Sequence, residues 1–378
     1  MTPIVSADRA GAVLRVDLAA IVANWRLLRR RIEPSACGAV VKADAYGLGA
    51  DEVAPALLAA GCRQFFVATL DEGIALRRCL EVAHSPPVAC EIFVLNGAPA
   101  GAAPEVRQAR LTPVVNALAD IDAWSAEARS RGTRVSAALH VDTGMARLGL
   151  PPGELAQLRD DPSRLDGLDL HCIMSHLACA DAPEHPLNAR QRDAFRAALA
   201  ILPKAPVSLA NSSGIFLGAD YWGDMVRPGA ALYGVSPVPA SPNPMRGVVR
   251  LHAKIVQVRQ IDSGSTVGYG ASHRAVGTER IATVAVGYAD GVMRSLGNRG
   301  SGYIGAQRVP IVGRISMDLT SFDVSDAPES LARAGACIEL IGPHHPIDAI
   351  AAEAGTIGYE ILTALGARFA RVYAPAGV

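Results

Sequence analysis

From about residue 15 to 235, short runs of apolar and β-branched side chains alternate with longer stretches whose apolar positions recur at helical spacing. The short runs are ACGAVVKA (36–43), QFFVAT (64–69), CEIFVLN (90–96), RLTPVV (110–115), RVSAALHVDT (134–143), LDLHCIMSHLA (168–178), VSLANSS (207–213) and DMVRPGAALYG (224–234). Between them lie segments such as DEVAPALLAAG, opened by an acidic residue and closed by Gly61, and ALADIDAWSAEARSRG, for which Asn116 is the expected N-cap. The strand runs are too continuously apolar for a sheet wetted on one face. Eight such strands alternating with helices predict an α/β fold, a closed parallel (β/α)8 barrel of the TIM type, with a doubly wound open sheet as the alternative.

Beyond residue 240 the rhythm changes. VVRLHAKIVQVRQI, ERIATVAVGYAD, QRVPIVGRISMDLTSFDV and ACIELIG are separated by Gly, Pro, Ser and Asn turns at the intervals of an all-β unit, and only PIDAIAAEAG and YEILTALGARF read as helical. The proline-rich SPVPASPNP (236–244) falls at the change and is read as a linker. The expected division is a barrel over 1–240 and a mainly β C-terminal domain over 241–378, the first dozen residues packing with the latter.

Composition narrows the function more than the fold. With 378 residues, half of them apolar, the chain can bury a large core. Its 36 acidic and 36 basic residues cancel, and there is no Lys/Arg block, which argues against a nucleic-acid or membrane-surface partner and for a small ligand. Seven scattered cysteines, never paired as C-x-x-C, indicate neither a disulfide framework nor a zinc site and fit a reducing compartment. The N-terminus lacks a signal-peptide pattern and no run of 18 apolar residues occurs, so the expected location is the cytoplasm. Only three of the 36 basic residues are lysine, at 42, 204 and 254. In a chain that otherwise chooses Arg, a lysine closing the first barrel strand invites a chemical explanation.

Barrel active sites form at the C-terminal ends of strands, and chemically versatile residues recur there: Lys42 after the first, Asp142, Thr143 and Arg147 after the fifth, His176 at the sixth, Asn211, Ser212 and Ser213 at the seventh, and Arg227 at the eighth. A lysine among apolar neighbours has a lowered pKa, and its neutral amine condenses with an aldehyde. Loops after strands seven and eight commonly hold phosphate, here with Ser212, Gly229 and the N–H of Ala230. Each feature has an ordinary structural reading: a capped lysine, a core histidine, a serine turn, a surface arginine pair, a glycine-rich hairpin in TVGYGAS (266–272). Their co-occurrence at corresponding strand ends is what those readings explain poorly.

These motifs resemble those of the alanine racemases, pyridoxal-phosphate enzymes with an N-terminal barrel and a C-terminal β domain, and the resemblance spans nearly the whole chain. AVVKADAYGLG resembles the family's cofactor-lysine signature, which implies that Lys42 holds pyridoxal 5'-phosphate as a Schiff base and that Tyr46 meets its phosphate. DTGMARLG implies that Arg147 contacts the cofactor's phenolic oxygen near the substrate carboxylate. MSHLA, ANSSG and VRPGAALYG imply that His176 packs by the cofactor, that Asn211 belongs to the same binding set, that Ser212, Gly229 and Ala230 hold phosphate, and that Arg227 faces the pyridine nitrogen. In the β domain VGYGA implies a second catalytic base, Tyr269. VGYADGVMR, ISMD and GYEI imply that Tyr288 and Arg294 narrow the entrance, that Met317 meets the substrate carboxylate with Asp318 supporting its loop, and that Tyr359 touches phosphate.

Racemisation explains these residue types. Removing the α-proton from one face and returning one to the other requires two acid/base groups, Lys42 and Tyr269. A phenol is ordinarily protonated at neutral pH, and His176 with Arg227 would lend it nearby positive charge. The family also implies a head-to-tail homodimer in which Tyr269 and the Met317 loop reach the other subunit's Lys42. One departure stands out: the position seven residues before Arg147, a carbamylated lysine in many members, is His140, leaving Arg147 to a bound anion or to Asp142. The rivals are a pyridoxal-phosphate-binding homeostasis protein, which lacks the C-terminal motifs; a basic-amino-acid decarboxylase, which places an acid where Arg227 stands; and a cofactor-free Schiff-base aldolase, which leaves the phosphate motifs idle. Alanine is the expected substrate, with serine or a broader range as the alternative and either wall synthesis or catabolism as the role.

Overall fold

The computed structural model describes residues 6–375 apart from 84, 85 and 87. All eight barrel strands form, each shorter than its apolar run: Ala36–Cys37 continued by Ala39–Val40, then Gln64–Val67, Glu91–Val94, Thr112–Val115, Val135–His140, Leu168–Met174, Val207–Ser208 and Met225–Val226. From Ala39–Val40 to Val207–Ser208 they lie side by side in sequence order, all parallel. Met225–Val226 pairs in parallel with Ala36–Cys37, and a parallel bridge between Asn211 and Arg227 joins it to the seventh strand. That pair of contacts closes the barrel and excludes the doubly wound sheet.

The interior is filled rather than hollow. Phe65, Phe66 and Phe93 are fully buried, and the rings of Phe66 and Phe93 stack 4.8 Å apart. Removing such a side chain costs about 3 to 5 kcal/mol. Gly38, which separates the two pieces of the first strand, is there for space: a Cβ would stand 2.7 Å from the ring of Phe66. Helices Leu18–Arg31, Ala50–Ala59, Leu70–Ala83, Leu118–Arg131 and Pro186–Leu199 lie between successive strands in the chain and bury one apolar face each.

Two local expectations are corrected. Asn116 does not cap Leu118–Arg131; the carboxylate of Asp120 accepts the N–H groups of Asn116 and Ala117 at 3.0 and 3.1 Å instead. The side chain of Asn116 turns inward, donating to the carbonyls of Leu95 and Val114. The predicted strands overrun as well. The backbone leaves the sheet at Val40, Met174 and Ser208, before the polar residues that follow, because those residues belong to the loops of the barrel mouth.

The C-terminal half is built on the 13-residue strand Val249–Ile261, which pairs antiparallel with Glu279–Val284 and Cys337–Ile341. The first strand of the chain, Ala12–Asp17, also joins this sheet, antiparallel to Val249–Ile261 and parallel to Ala370–Ala374. Helices Ile347–Ala354 and Gly358–Ala364 form where the sequence placed them, and the second packs against the segment that carries Lys42.

Candidate active site

Lys42 begins an unusual turn. Ala43, Asp44, Ala45 and Tyr46 all have left-handed dihedral angles, with φ between 52° and 57°. For residues with a Cβ this costs roughly 1 kcal/mol or more each, so the turn must be held from outside. Asp44 Oδ1 accepts the N–H of Ala50 at 2.7 Å, Glu72 Oε1 accepts that of Ala43 at 2.7 Å, and Gly47 and Gly49, at φ 80° and 98°, carry the chain onward into Ala50–Ala59. The reversal leaves Lys42 and the buried Tyr46 on one cavity.

That cavity, of about 780 Å³, lies at the C-terminal ends of the strands. It gathers Lys42, Tyr46, Arg147, His176, Asn211, Ser212, Arg227, Gly229, Ala230 and Tyr359, together with His140. A cavity of similar size, about 810 Å³, opens at the opposite ends of the strands among Arg77, Arg107, Arg110, Arg134 and His171, but it has no lysine. The chemistry therefore distinguishes the two where volume does not.

One end of the first cavity suits a phosphate. Ser212 Oγ accepts the N–H groups of Gly229 and Ala231 at 2.9 and 3.2 Å, which fixes the loop. The N–H of Ala230 opens the turn Ala230–Tyr233, where first-turn donors have no partner within the helix. A Cβ at Gly229 would lie 2.4 Å from Tyr46 Oη, so the phenol stands directly against that backbone. The Tyr46 ring lies 4.8 Å from that of Tyr233 and 6.0 Å from that of Tyr359. Backbone N–H groups, a hydroxyl and a phenol on the same cavity as a lysine are the donors a pyridoxal phosphate would need, and the residues present fit it.

The electrostatics are dominated by cations. Arg227 is 5% exposed, and its guanidinium is bonded to the Ser208 hydroxyl, to the Ser175 carbonyl at 2.5 Å and to the Leu209 carbonyl at 3.4 Å rather than to any acid. Burial lowers its pKa to about 10, which leaves it charged at neutral pH. A ring nitrogen set against it would meet a donor that does not surrender its proton. Burial, then Arg227 and Arg147, push His176 down to about 3. Burial and Arg227 bring His140 to about 4, against the pull of Asp142. Both imidazoles are neutral. Burial, followed by Arg147, also lowers the Lys42 ammonium, which favours the nucleophilic amine.

His140 has a defined partner: Nδ1 lies 2.8 Å from Asn116 Oδ1, and because the amide nitrogen of Asn116 is already donating, the imidazole Nδ1 donates here. Among the described residues Asp142 makes no hydrogen bond or ion pair with Arg147. Its carboxylate accepts the N–H groups of Gly144, Met145 and Ala146 and so shapes the loop that carries the arginine.

Of the β-domain residues Tyr359 joins this cavity, whereas Tyr269, Tyr288, Arg294 and Met317 are not among its lining. Tyr269 is 72% exposed on a turn between Thr266–Val267 and His273–Arg274, Met317 is 54% exposed and Tyr288 43%. They nevertheless neighbour one another. Tyr288 and Ala289 donate to the carbonyls of Ser316 and Met317 at 3.1 and 3.0 Å, and the turn after Tyr269 runs so close to Arg314 that a Cβ at Gly270 would lie 2.9 Å from its guanidinium. Arg294 begins the short turn Arg294–Leu296 just beyond. The sequence points to neither Asn96 nor Ile357 and offers Asn116 only as a helix cap, while Glu72 leaves a trace in the Thr69-x-x-Glu72 pattern of a helix start.

The chain is similar over nearly its whole length to known proteins. Residues 16–237 match the model of the alanine racemase N-terminal domain and residues 248–373 that of the alanine racemase C-terminal domain. The alanine racemase of Rhodospirillum rubrum is 54% identical over 367 residues, 97% of this chain and 96% of that protein. A relative from Mesorhizobium japonicum named as a catabolic alanine racemase is 49% identical, covering 98% of this chain and 95% of its own. The crystal structure of alanine racemase from Bartonella henselae with covalently bound pyridoxal phosphate superposes with a TM-score of 0.92 at 42% identity, covering 97% of this chain and 100% of that one.

Proposed function

This chain belongs to the alanine racemase family, and from that premise we propose that its active site is completed between two copies, Lys42 of one and Tyr269 of the other supplying the two acid/base groups. The chain is a pyridoxal-phosphate-dependent isomerase that interconverts L-alanine and D-alanine. The observation that supports the shared site is a separation: the cavity around Lys42 is open, while Tyr269, Tyr288 and Met317 of the same chain are exposed on a neighbouring set of loops.

Pyridoxal phosphate, when bound, supplies the electron sink that acidifies the α-hydrogen of an amino acid. Lys42 would hold it, with Tyr46, Ser212, Gly229, Ala230 and Tyr359 around the phosphate, and Asn211, Arg147, His176 and Arg227 around the ring. The Lys42 amine then takes or returns a proton on one side and the Tyr269 hydroxyl on the other. Arg227 contributes fixed positive charge through its buried guanidinium, and neutral His176 adds none. Met317 and Arg147 would bind the substrate carboxylate, and Tyr288 with Arg294 would restrict the entrance to a small side chain. The same reading divides the chain near residue 240 and sets it in the cytoplasm, where its seven free cysteines remain reduced. Among the described residues no helix is long and apolar enough to cross a membrane.

Mixing tests the reading. Lys42→Ala and Tyr269→Phe chains, each inactive alone, should regain activity when dissociated and reassembled, because the mixed dimer has one of its two sites intact. Verified mixed dimers with no activity would refute the shared site.

A further inference from the structure

We propose that Glu72 is a positioning residue for Lys42, its carboxylate holding the left-handed turn from which the lysine projects and facing the amine with negative charge. The inference rests on Lys42 being the residue that carries the cofactor.

Glu72 is the third residue of the helix Leu70–Ala83. Part of its bonding is that of an ordinary capping box: Oε2 accepts the N–H of Thr69 at 3.2 Å, and the N–H of Glu72 reaches Thr69 Oγ1 at 3.3 Å. A capping box does not require the rest. Oε2 also accepts the N–H of Ala68 at 2.7 Å, and Oε1 extends away from the helix to the N–H of Ala43, also at 2.7 Å. One carboxylate thus binds three backbone donors from two segments, the end of the second barrel strand and the residue directly after Lys42.

The geometry at that residue is what needs holding. Ala43 is the first of four consecutive left-handed residues, none of them glycine. In the right-handed conformation the chain would leave Val41 in another direction, and Lys42 would not share a cavity with Tyr46 and Arg227. Asp44 secures the far end of the turn through Ala50, and Glu72 secures the near end. All three partners of Glu72 are donors, so only a group that accepts with both oxygens satisfies them. Glutamine does not: its amide would turn an N–H toward either Ala43 or the Ala68–Thr69 pair.

Charge points the same way. The groups around the cavity are the cations Arg147 and Arg227, the imidazoles of His140 and His176, the phenols Tyr46 and Tyr359, and the carboxylate of Glu360. Burial and Arg147 depress the Lys42 ammonium, and Glu72 opposes them. Its removal would therefore free the amine at lower pH while loosening its placement.

The test uses the full-length chain freed of cofactor, with capture of added pyridoxal phosphate followed by absorbance over a pH series and folding checked by thermal unfolding. In Glu72→Gln the midpoint of the rising limb should fall by roughly half a pH unit or more, and the plateau rate should drop several-fold. Glu72→Asp keeps the charge but is too short to reach both segments, so its midpoint should hold while its plateau falls. If Glu72→Gln traces the wild-type profile, or if Glu72→Asp has the wild-type plateau, the proposal is overturned. Lys42→Ala separates the two readings: capture that survives in that variant would refute the role of Lys42 itself, whereas its loss there beside an unchanged Glu72→Gln profile would refute only the role of Glu72.

Discussion

Arg368 grips Asp290 with two parallel charge-assisted bonds, Nε to Oδ1 at 2.6 Å and Nη2 to Oδ2 at 2.7 Å, and gives its Nη1 to Asp318 Oδ1 at 2.7 Å. Asp290 is 3% exposed and also accepts the N–H of Gly287, whereas Asp318 follows Met317 directly. One guanidinium therefore joins the Tyr288 loop to the Met317 loop. The resemblance implies that Asp318 supports the Met317 loop, and Arg368 ties that aspartate to Asp290.

Lysine at position 368 cannot make the fork. Arg368→Lys should raise the KM for alanine several-fold with a smaller fall in kcat, and should lower stability by roughly 1 to 3 kcal/mol. Steady-state kinetics and urea unfolding measure both, and a kcat loss without a KM change would show that the clasp does not serve substrate binding.

Stability should depend on pH through the two partly buried imidazoles at the cavity. His140 and His176, at about 4 and 3 in the folded protein, bind protons more readily when unfolded, near the usual 6.5. Their contribution is thus complete above about pH 6.5 and is lost as pH falls towards 4 and then 3, by on the order of 3 kcal/mol for His140. His140→Gln should flatten this slope by about one proton in unfolding curves recorded across that window. An unchanged slope would mean that His140 is already charged in the native state.

Gly229→Ala places a methyl where Tyr46 Oη now lies, 2.4 Å away. The phenol must move, and with it one wall of the proposed phosphate site. Cofactor affinity should fall tenfold or more, about 1.4 kcal/mol, in an absorbance titration. Wild-type affinity would place the phosphate elsewhere.

Specificity for alanine over serine should be modest. An apolar pocket rejects an added hydroxyl by about a hundredfold at most, so D-serine formation should be detectable in a coupled assay while D-lysine and D-arginine formation are not. Rapid turnover of the basic amino acids would contradict an entrance narrowed by Tyr288 and Arg294.

Much of this molecule is legible in its sequence because apolar periodicity reports burial directly: Phe65, Phe66 and Phe93 announce barrel strands wherever they are read. Motif matching placed Lys42, Tyr46 and Arg227 on one cavity for a different reason, since such residues are tied to chemistry rather than to packing. What escaped is long-range and polar. Asn116 looks like a helix cap and instead supports His140, because a side-chain amide has donors and an acceptor to spend on whatever the fold brings near. The left-handed run after Lys42 also left no compositional mark, as Ala, Asp, Ala and Tyr ordinarily avoid it. Arg368 and Glu72 act across 78 and 29 positions, distances over which local pattern carries no information.

The strand Ala12–Asp17 lies between Val249–Ile261 and Ala370–Ala374 in one sheet. During synthesis this strand leaves the ribosome first and its neighbours more than two hundred residues later, after the entire barrel. The barrel is in effect an insertion looped out of the β unit. Such high contact order is slow to satisfy, and the early strand, apolar on one face, must stay unpaired while the barrel forms. The barrel strands can therefore pair before the β unit closes, but the cavity beside Lys42 gains its last wall only when helix Gly358–Ala364, made near the end of the chain, brings Tyr359 against the Lys42 turn.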